Sequence, residues 1–335
     1  MKASDRLRRV VRERAFPAQP RAGGAMPAEP EGEAAAIARW IGARGGGAVA
    51  AVVFFGSRKH RARPQAGSAY DLFLVTPDYT ALYRAFRSAG LVHRSEHLLA
   101  VLNRFLPPNQ LSIRPRAGVH AKCAVVSLRH LQRETSERRR DQFIGGRLFQ
   151  PAEVVYAASA SDAAAVVECL TGAHVLTYVW VRPWLPAVFD AGEYGRTLLR
   201  VSFGREIRPE PGTRVDALWE AQQEYFRSVY GVLLEDLAAA GELRPVPGGY
   251  TLARPPSLLE EVRVRARLRW SLLRATLRWG KHMMTFEGWL DFMLGKASRH
   301  TGQEIVLTAR ERRMPLVFLW PRVLRYLRHK DREGP

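Results

Sequence analysis

Apolar positions along this chain follow two rhythms, and the change falls near residue 157. Before it, short apolar runs alternate with helical patterns. Residues 31–44 put Ile37, Trp40 and Ile41 on one face of a helix. Residues 48–55 and Tyr70–Thr76 read as buried strands, and residues 119–128 (Val-His-Ala-Lys-Cys-Ala-Val-Val-Ser-Leu) as a third. A helix starts at Pro77-Asp78-Tyr79-Thr80 and runs to about Ala89, and two to three shorter elements follow it. After residue 157 the period becomes helical over 161–180, 215–240, 257–279, 284–299 and 315–330. Gly248-Gly249-Tyr250 marks a turn, and Ser257 with Glu260 makes a capping box. The expected fold class is α+β. A mixed sheet with flanking helices should occupy 33–157, and a helical domain with an amphipathic, basic last helix should occupy 158–335. Residues 1–32, rich in Arg, Pro, Gly and Ala, read as a disordered basic tail.

Composition narrows the partners. Hydrophobic residues at 47% and charged residues at 25% of 335 suit a globular protein with a sizeable core. Lys and Arg total 52 against 32 Asp and Glu, a formal net charge of +20. Such a field attracts nucleic acid, anionic lipid or phosphorylated small molecules. The two cysteines, Cys123 and Cys169, are too far apart and too isolated for a zinc site or a disulfide framework, which fits a reducing compartment. No apolar stretch is expected to reach the roughly eighteen residues of a spanning helix. The nearest, residues 175–189, is interrupted by Arg182, Pro183 and Pro186. The arginines at 6, 8, 9, 12 and 14 precede no apolar region of a signal peptide, so the expected location is cytoplasmic.

Candidate chemistry lies where the second strand run meets the first. Val52-Val53-Phe54-Phe55 ends in Gly56-Ser57, and the next apolar run carries Asp71. Glycine lets backbone approach a phosphate closely. A serine hydroxyl adds a donor, and an aspartate suits a hard cation such as Mg²⁺ or Mn²⁺. Lys59 and Arg61 lie in a basic loop within reach of a triphosphate. This order resembles the start of the active site in the DNA-polymerase-beta-like nucleotidyltransferase superfamily. There the Gly-Ser turn holds the triphosphate and the strand acid holds metal. The superfamily's usual second acid is replaced here by Phe73.

A longer match refines the resemblance. His120-Ala121-Lys122-Cys123-Ala124-Val125-Val126-Ser127 leads to Asp141-Gln142-Phe143-Ile144-Gly145-Gly146-Arg147-Leu148-Phe149-Gln150-Pro151, and then to Tyr225-Phe226-Arg227-Ser228-Val229-Tyr230-Gly231. In that order, over about residues 48–240, these segments resemble the mitochondrial-type CDP-diacylglycerol synthases, the translocator assembly and maintenance family. Gln150 stands where the family usually has Lys, and Lys281-His282-Met283-Met284-Thr285-Phe286 resembles bacterial relatives. The resemblance implies that CTP and phosphatidic acid become CDP-diacylglycerol and pyrophosphate. It implies Asp71, Lys122 and Arg147 as catalytic residues; Gly56, Ser57, Lys59 and Arg61 around the nucleotide; and Asp71 with Asp141 at the metal, Glu96 and Glu134 being further acids considered. Phosphatidic acid is a phosphate monoester with a second pKa near ~6, so it attacks as an anion and needs no strong base.

A lipid acceptor requires a membrane. From Val262 onward arginines alternate with large apolar residues, and residues 315–330 combine Leu, Phe and Trp with Arg322, Arg325, Arg328 and Lys330. Amphipathic basic helices of this kind bind the surface of anionic bilayers. The expected partners are therefore CTP, phosphatidic acid and the inner face of an anionic membrane; a homodimer stays open. The alternatives are transfer to another phospholipid, a phosphosugar or RNA, or an inactive lipid-binding scaffold. Nucleic acid is disfavoured because no RNA-binding motif appears and the terminal helices are too apolar to track phosphates.

Overall fold

The order of apolar residues builds a five-stranded mixed sheet, β3-β4-β2-β1-β5, with helices on both faces. The computed structural model describes residues 3–17, 32–60, 68–203, 212–285, 290, 294 and 307–313. Its strands are β1 (Ala51–Phe55), β2 (Tyr70–Thr76), β3 (Asn109–Arg116), β4 (Val119–Ser127) and β5 (Glu153–Ala157). β2 is central and apolar almost throughout because both its faces are covered. It runs parallel to β4 and antiparallel to β1, while β3–β4 and β1–β5 are antiparallel.

Alternation along each strand divides the interior into two cores. On one face Val52, Leu72, Leu74, Cys123 and Val125 pack against α2 (Glu33–Gly45) and two helices, α4 (Tyr79–Ser88) and α5 (Glu96–Phe105), that follow the four-residue α3 (Ser57–His60). Asp78 caps α4 by accepting from the Ala81 N–H at 2.8 Å. On the other face Val53, Phe73, Val75, Ala124 and Val126 meet a larger helical layer. In chain order its helices include α6 (Leu128–Glu134), α7 (Gly145–Leu148), α8 (Ala160–Val175), α9 (Thr177–Val181), α10 (Ala191–Phe203), α11 (Gly212–Ala239) and α12 (Leu258–Thr285).

The chain divides at 285/286, not at 157/158: residues 1–285 form one unit and 286–335 another. The helices after 157 do not make a separate domain because Val166, Leu170, Trp219, Phe226 and Tyr230 share a single core with the sheet. In the second unit the described helix is Ala309–Arg313, capped by reciprocal Thr308–Glu311 hydrogen bonds. The basic helix expected over 315–330 lies outside the described residues.

Two further expectations are corrected, those for the N-terminal segment and for membrane-spanning length, and the expected turn at Gly248-Gly249 is borne out. The N-terminal segment is not all tail: α1 (Asp5–Ala15) buries Leu7, Val11 and Ala15, and its arginines pair outward, Arg8 with Glu168 and Arg14 with Glu224. Gly248-Gly249 turns a hairpin, β6 (Leu243–Val246) to β7 (Gly249–Leu252). Ala160–Trp184 is long and apolar enough to cross a membrane by length and composition. However, 72% of its most apolar window is buried in the fold, as a core helix would be.

Candidate active site

Strand register gathers the site. Phe55, Asp71, Lys122 and Ser112 are successive cross-strand partners on β1, β2, β4 and β3. Partners in register project from the same face, so Asp71 and Lys122 stand side by side, both half-buried. Two residues along each strand the same face carries Phe73 and Ala124, which belong to the larger core. Phe55 stacks on Phe73 with ring centroids 4.6 Å apart, giving the row an apolar floor. A carboxylate in place of Phe73 would be wholly buried, at a high desolvation cost.

Gly56 closes the row. Its φ is +85°, a conformation side chains rarely adopt, and a Cβ there would lie 2.6 Å from Asp71 Oδ2 and 3.0 Å from Asp71 Cβ. Bare backbone therefore lies directly against the Asp71 carboxylate. Ser57 follows, half-buried, as the first residue of α3. Beyond Lys122, His120 Nε2 lies 2.8 Å from Ser112 Oγ. Burial, then the charges of Lys122 and Arg114, push His120 down to about 4, so it is neutral at pH 7.

The remaining candidates divide. Lys59 is tied to Glu153 at the start of β5, so the sheet edge rather than a triphosphate occupies it. Arg61 lies outside the described residues. Asp141 and Arg147 belong to a second cluster built on α12. The reading of Asp141 as a metal ligand beside Asp71 is corrected by its contacts. Its Oδ2 accepts from Arg274 Nε at 2.7 Å and from Arg278 at 2.6 Å, and its Oδ1 accepts from the Phe143 N–H at 2.9 Å. A dication there would face two guanidiniums. Burial alone would raise the Asp141 carboxyl, but the Arg278 charge and these hydrogen bonds hold it below the ordinary carboxylate range. Arg147 donates to the Phe143 carbonyl at 2.8 Å and lies 3.9 Å above the Phe143 ring, and Arg278 lies 4.3 Å from the same ring.

The other acids considered are also engaged. Glu134 accepts from Arg133 and from the Arg140 and Asp141 backbone, and Glu96 pairs with Arg87. Among the described residues no three His, Cys, Asp or Glu side chains gather as a metal-binding group.

The α12 cluster itself was not anticipated. Arg278 is 1% exposed and donates through Nε to the Pro107 carbonyl at 2.9 Å. Lys281 is 6% exposed and donates to the carbonyls of Pro108, at 2.7 Å, and Leu106. Burial, then repulsion from Arg278 and Arg274, pushes Lys281 down to about 6. The available signal was the spacing of Ser271, Arg274, Arg278, Lys281 and Thr285, a heptad-like polar stripe.

The fold is α+β, a mixed sheet flanked by helices, consistent with a nucleotidyltransferase-like arrangement. No protein-family model matches the chain, and no curated protein matches it.

Proposed function

We propose that this protein is a nucleotidyltransferase that converts CTP and phosphatidic acid to CDP-diacylglycerol and pyrophosphate at the inner face of an anionic membrane. The observation that carries the reading is Gly56 backbone pressed against the Asp71 carboxylate, with Lys122 beside it in register. Support for the particular substrates comes from the ordered resemblance over about residues 48–240.

A strand carboxylate suits Mg²⁺, which uses one or two protein carboxylates and fills its shell with water and substrate phosphates. Asp71 would hold it; when bound, the ion neutralises charge developing on the phosphate oxygens. Lys122 supplies positive charge where two anionic substrates must meet, whereas Arg147, held over Phe143 in the α12 cluster, takes no part in this row. The Gly56-Ser57 turn receives the β- and γ-phosphates. A phosphate oxygen of phosphatidic acid bonds to the α-phosphorus of CTP, the α–β bridging P–O bond breaks, and pyrophosphate leaves with the electron pair. The acceptor oxygen is already anionic, so no side chain must take its proton; neutral His120 would be a poor base in any case.

The test is transfer from α-labelled CTP to phosphatidic-acid vesicles with Mg²⁺, lipids resolved by chromatography. Wild type should form labelled CDP-lipid. Asp71→Ala should lose about a thousandfold or more, and Gly56→Ala about tenfold or more, both with an unchanged circular-dichroism spectrum. Absence of product from folded, vesicle-bound wild-type protein would sink the phosphatidate assignment and favour the lipid-binding scaffold.

A further inference from the structure

The outer face of α12 carries large apolar side chains where a surface helix should be polar. Leu259, Val262, Trp270, Leu273 and Leu277 recur at helical spacing with Ala266 among them, all exposed; the large ones range from Leu273 at 49% to Val262 at 60%. From Leu259 to Leu277 the stripe runs about 27 Å at 1.5 Å per residue. Arg263 and Arg267 border it on one side and Arg265 and Arg269 on the other, all exposed. Between Val262 and Phe286 there are six arginines and Lys281 but no Asp or Glu.

We infer that this stripe is a docking surface for an anionic phospholipid bilayer, with α12 lying in the plane of the interface. Three occupants compete for such a face. A second copy packed along it would set Arg against Arg over most of its length, because the acids of α12 are confined to its first turn, Glu260 and Glu261, and Glu261 already pairs with Arg265 at 3.1 Å. A nucleic acid would meet a ridge of Leu and Trp with its cations pushed to the margins, whereas phosphate tracking needs donors along the contact line. An anionic bilayer satisfies both features: acyl chains accept the ridge and headgroup phosphates accept the flanking guanidiniums. The inward face explains why the helix can hold this orientation. Arg274 and Arg278 are pinned to Asp141, and Arg278 and Lys281 to the carbonyls of residues 106–108, so α12 cannot roll its apolar side inward without breaking those bonds. The inference deepens the proposed function by naming the element that meets the lipid, but it stands on α12 alone and needs neither CTP nor metal.

The test uses the full chain. Cys123 and Cys169 are both buried, so Leu273→Cys takes an environment-sensitive dye selectively. Vesicles of phosphatidylcholine with phosphatidylglycerol should blue-shift the dye and bind the protein at least about tenfold more tightly than phosphatidylcholine alone, with salt weakening both effects. Replacing Trp270, Leu273 and Leu277 together by Gln should cut binding by at least about tenfold while leaving circular dichroism unchanged. Three results would each overturn the inference: a blue shift produced by raising protein concentration without vesicles, one produced by RNA, or vesicle binding that leaves the dye in water. Docking without CDP-lipid synthesis would leave the inference standing and remove the chemistry; synthesis without α12 docking would do the reverse.

Discussion

In the sheet, apolar side chains fill both faces of β2, and the charged row of Asp71 and Lys122 lies only half-buried near the beginning of the β2 and β4 strands. Along α12 the arrangement is inverted: Arg278 and Lys281 turn inward while Leu273, Leu277 and Trp270 face out. The difference lies in the partners each element finds. The sheet faces two apolar helical layers, so it selects apolar side chains and tolerates a carboxylate only where glycine backbone opens a gap. The inner side of α12 faces Asp141 and the carbonyls of residues 106–108, so it selects long side chains whose nitrogen donors reach them. Burial alone therefore does not say which face of an element is apolar; the chemistry of the facing surface does.

The sharpest way to break this comparison is to remove the anion that α12 turns toward. Asp141→Ala leaves Arg274 and Arg278 buried with no carboxylate, and destabilisation of about 3–5 kcal/mol is expected in urea denaturation. A loss under about 1 kcal/mol would mean that the cluster's charge is balanced elsewhere and that Asp141 does not orient the helix.

Lys281 gives a smaller, pH-dependent effect. Its folded pKa of about 6 lies below its ordinary 10.5, so between these values the unfolded chain binds more protons than the folded one. Stability should therefore rise as pH increases through that window, with a slope of up to about 1.4 kcal/mol per pH unit from this group. It should fall as pH drops toward 6. Lys281→Met should flatten the profile between pH 7 and 9. Equal slopes in wild type and variant would show that the ammonium remains charged against the carbonyls.

Three strands of the sheet, β1, β2 and β4, were readable because their signals are local, whereas β3 and β5 were not. Tyr70–Thr76 forms the strand its pattern predicts; Gly56 was expected to bring backbone close to a phosphate, and the structure shows that backbone against Asp71 instead. Of the helices in 158–285, those over 161–180, 215–240 and 257–279 were readable for the same reason, whereas α10 was not; Ser257 and Glu260 cap α12 as their spacing requires. Placement was not readable. Nothing near Asp141 in sequence says that Arg274 and Arg278, more than a hundred residues on, will surround it. Nor does the arginine-rich composition of α1 show that a narrow stripe of Leu7, Val11 and Ala15 suffices to dock it. Amphipathic spacing on α12 showed two faces, but identical spacing fits either face inward. Only the carboxylate and carbonyls opposite decide between them.

The smallest expected effect tests the outward face. If Trp270, Leu273 and Leu277 do not pack in the fold, polar replacements there should each change stability by no more than about 0.5 kcal/mol, as exposed sites do. An apolar residue in the sheet offers the contrast: Leu72 is fully buried, and Leu72→Ala should cost about 2–5 kcal/mol. Denaturation of the triple glutamine variant beside Leu72→Ala therefore reads the comparison directly. Near-zero change with lost vesicle binding assigns the stripe to an external partner, because the folded chain gains nothing from it. A loss of several kcal/mol in the triple variant would mean that the stripe packs within the protein, and α12 would then follow the same rule as the sheet.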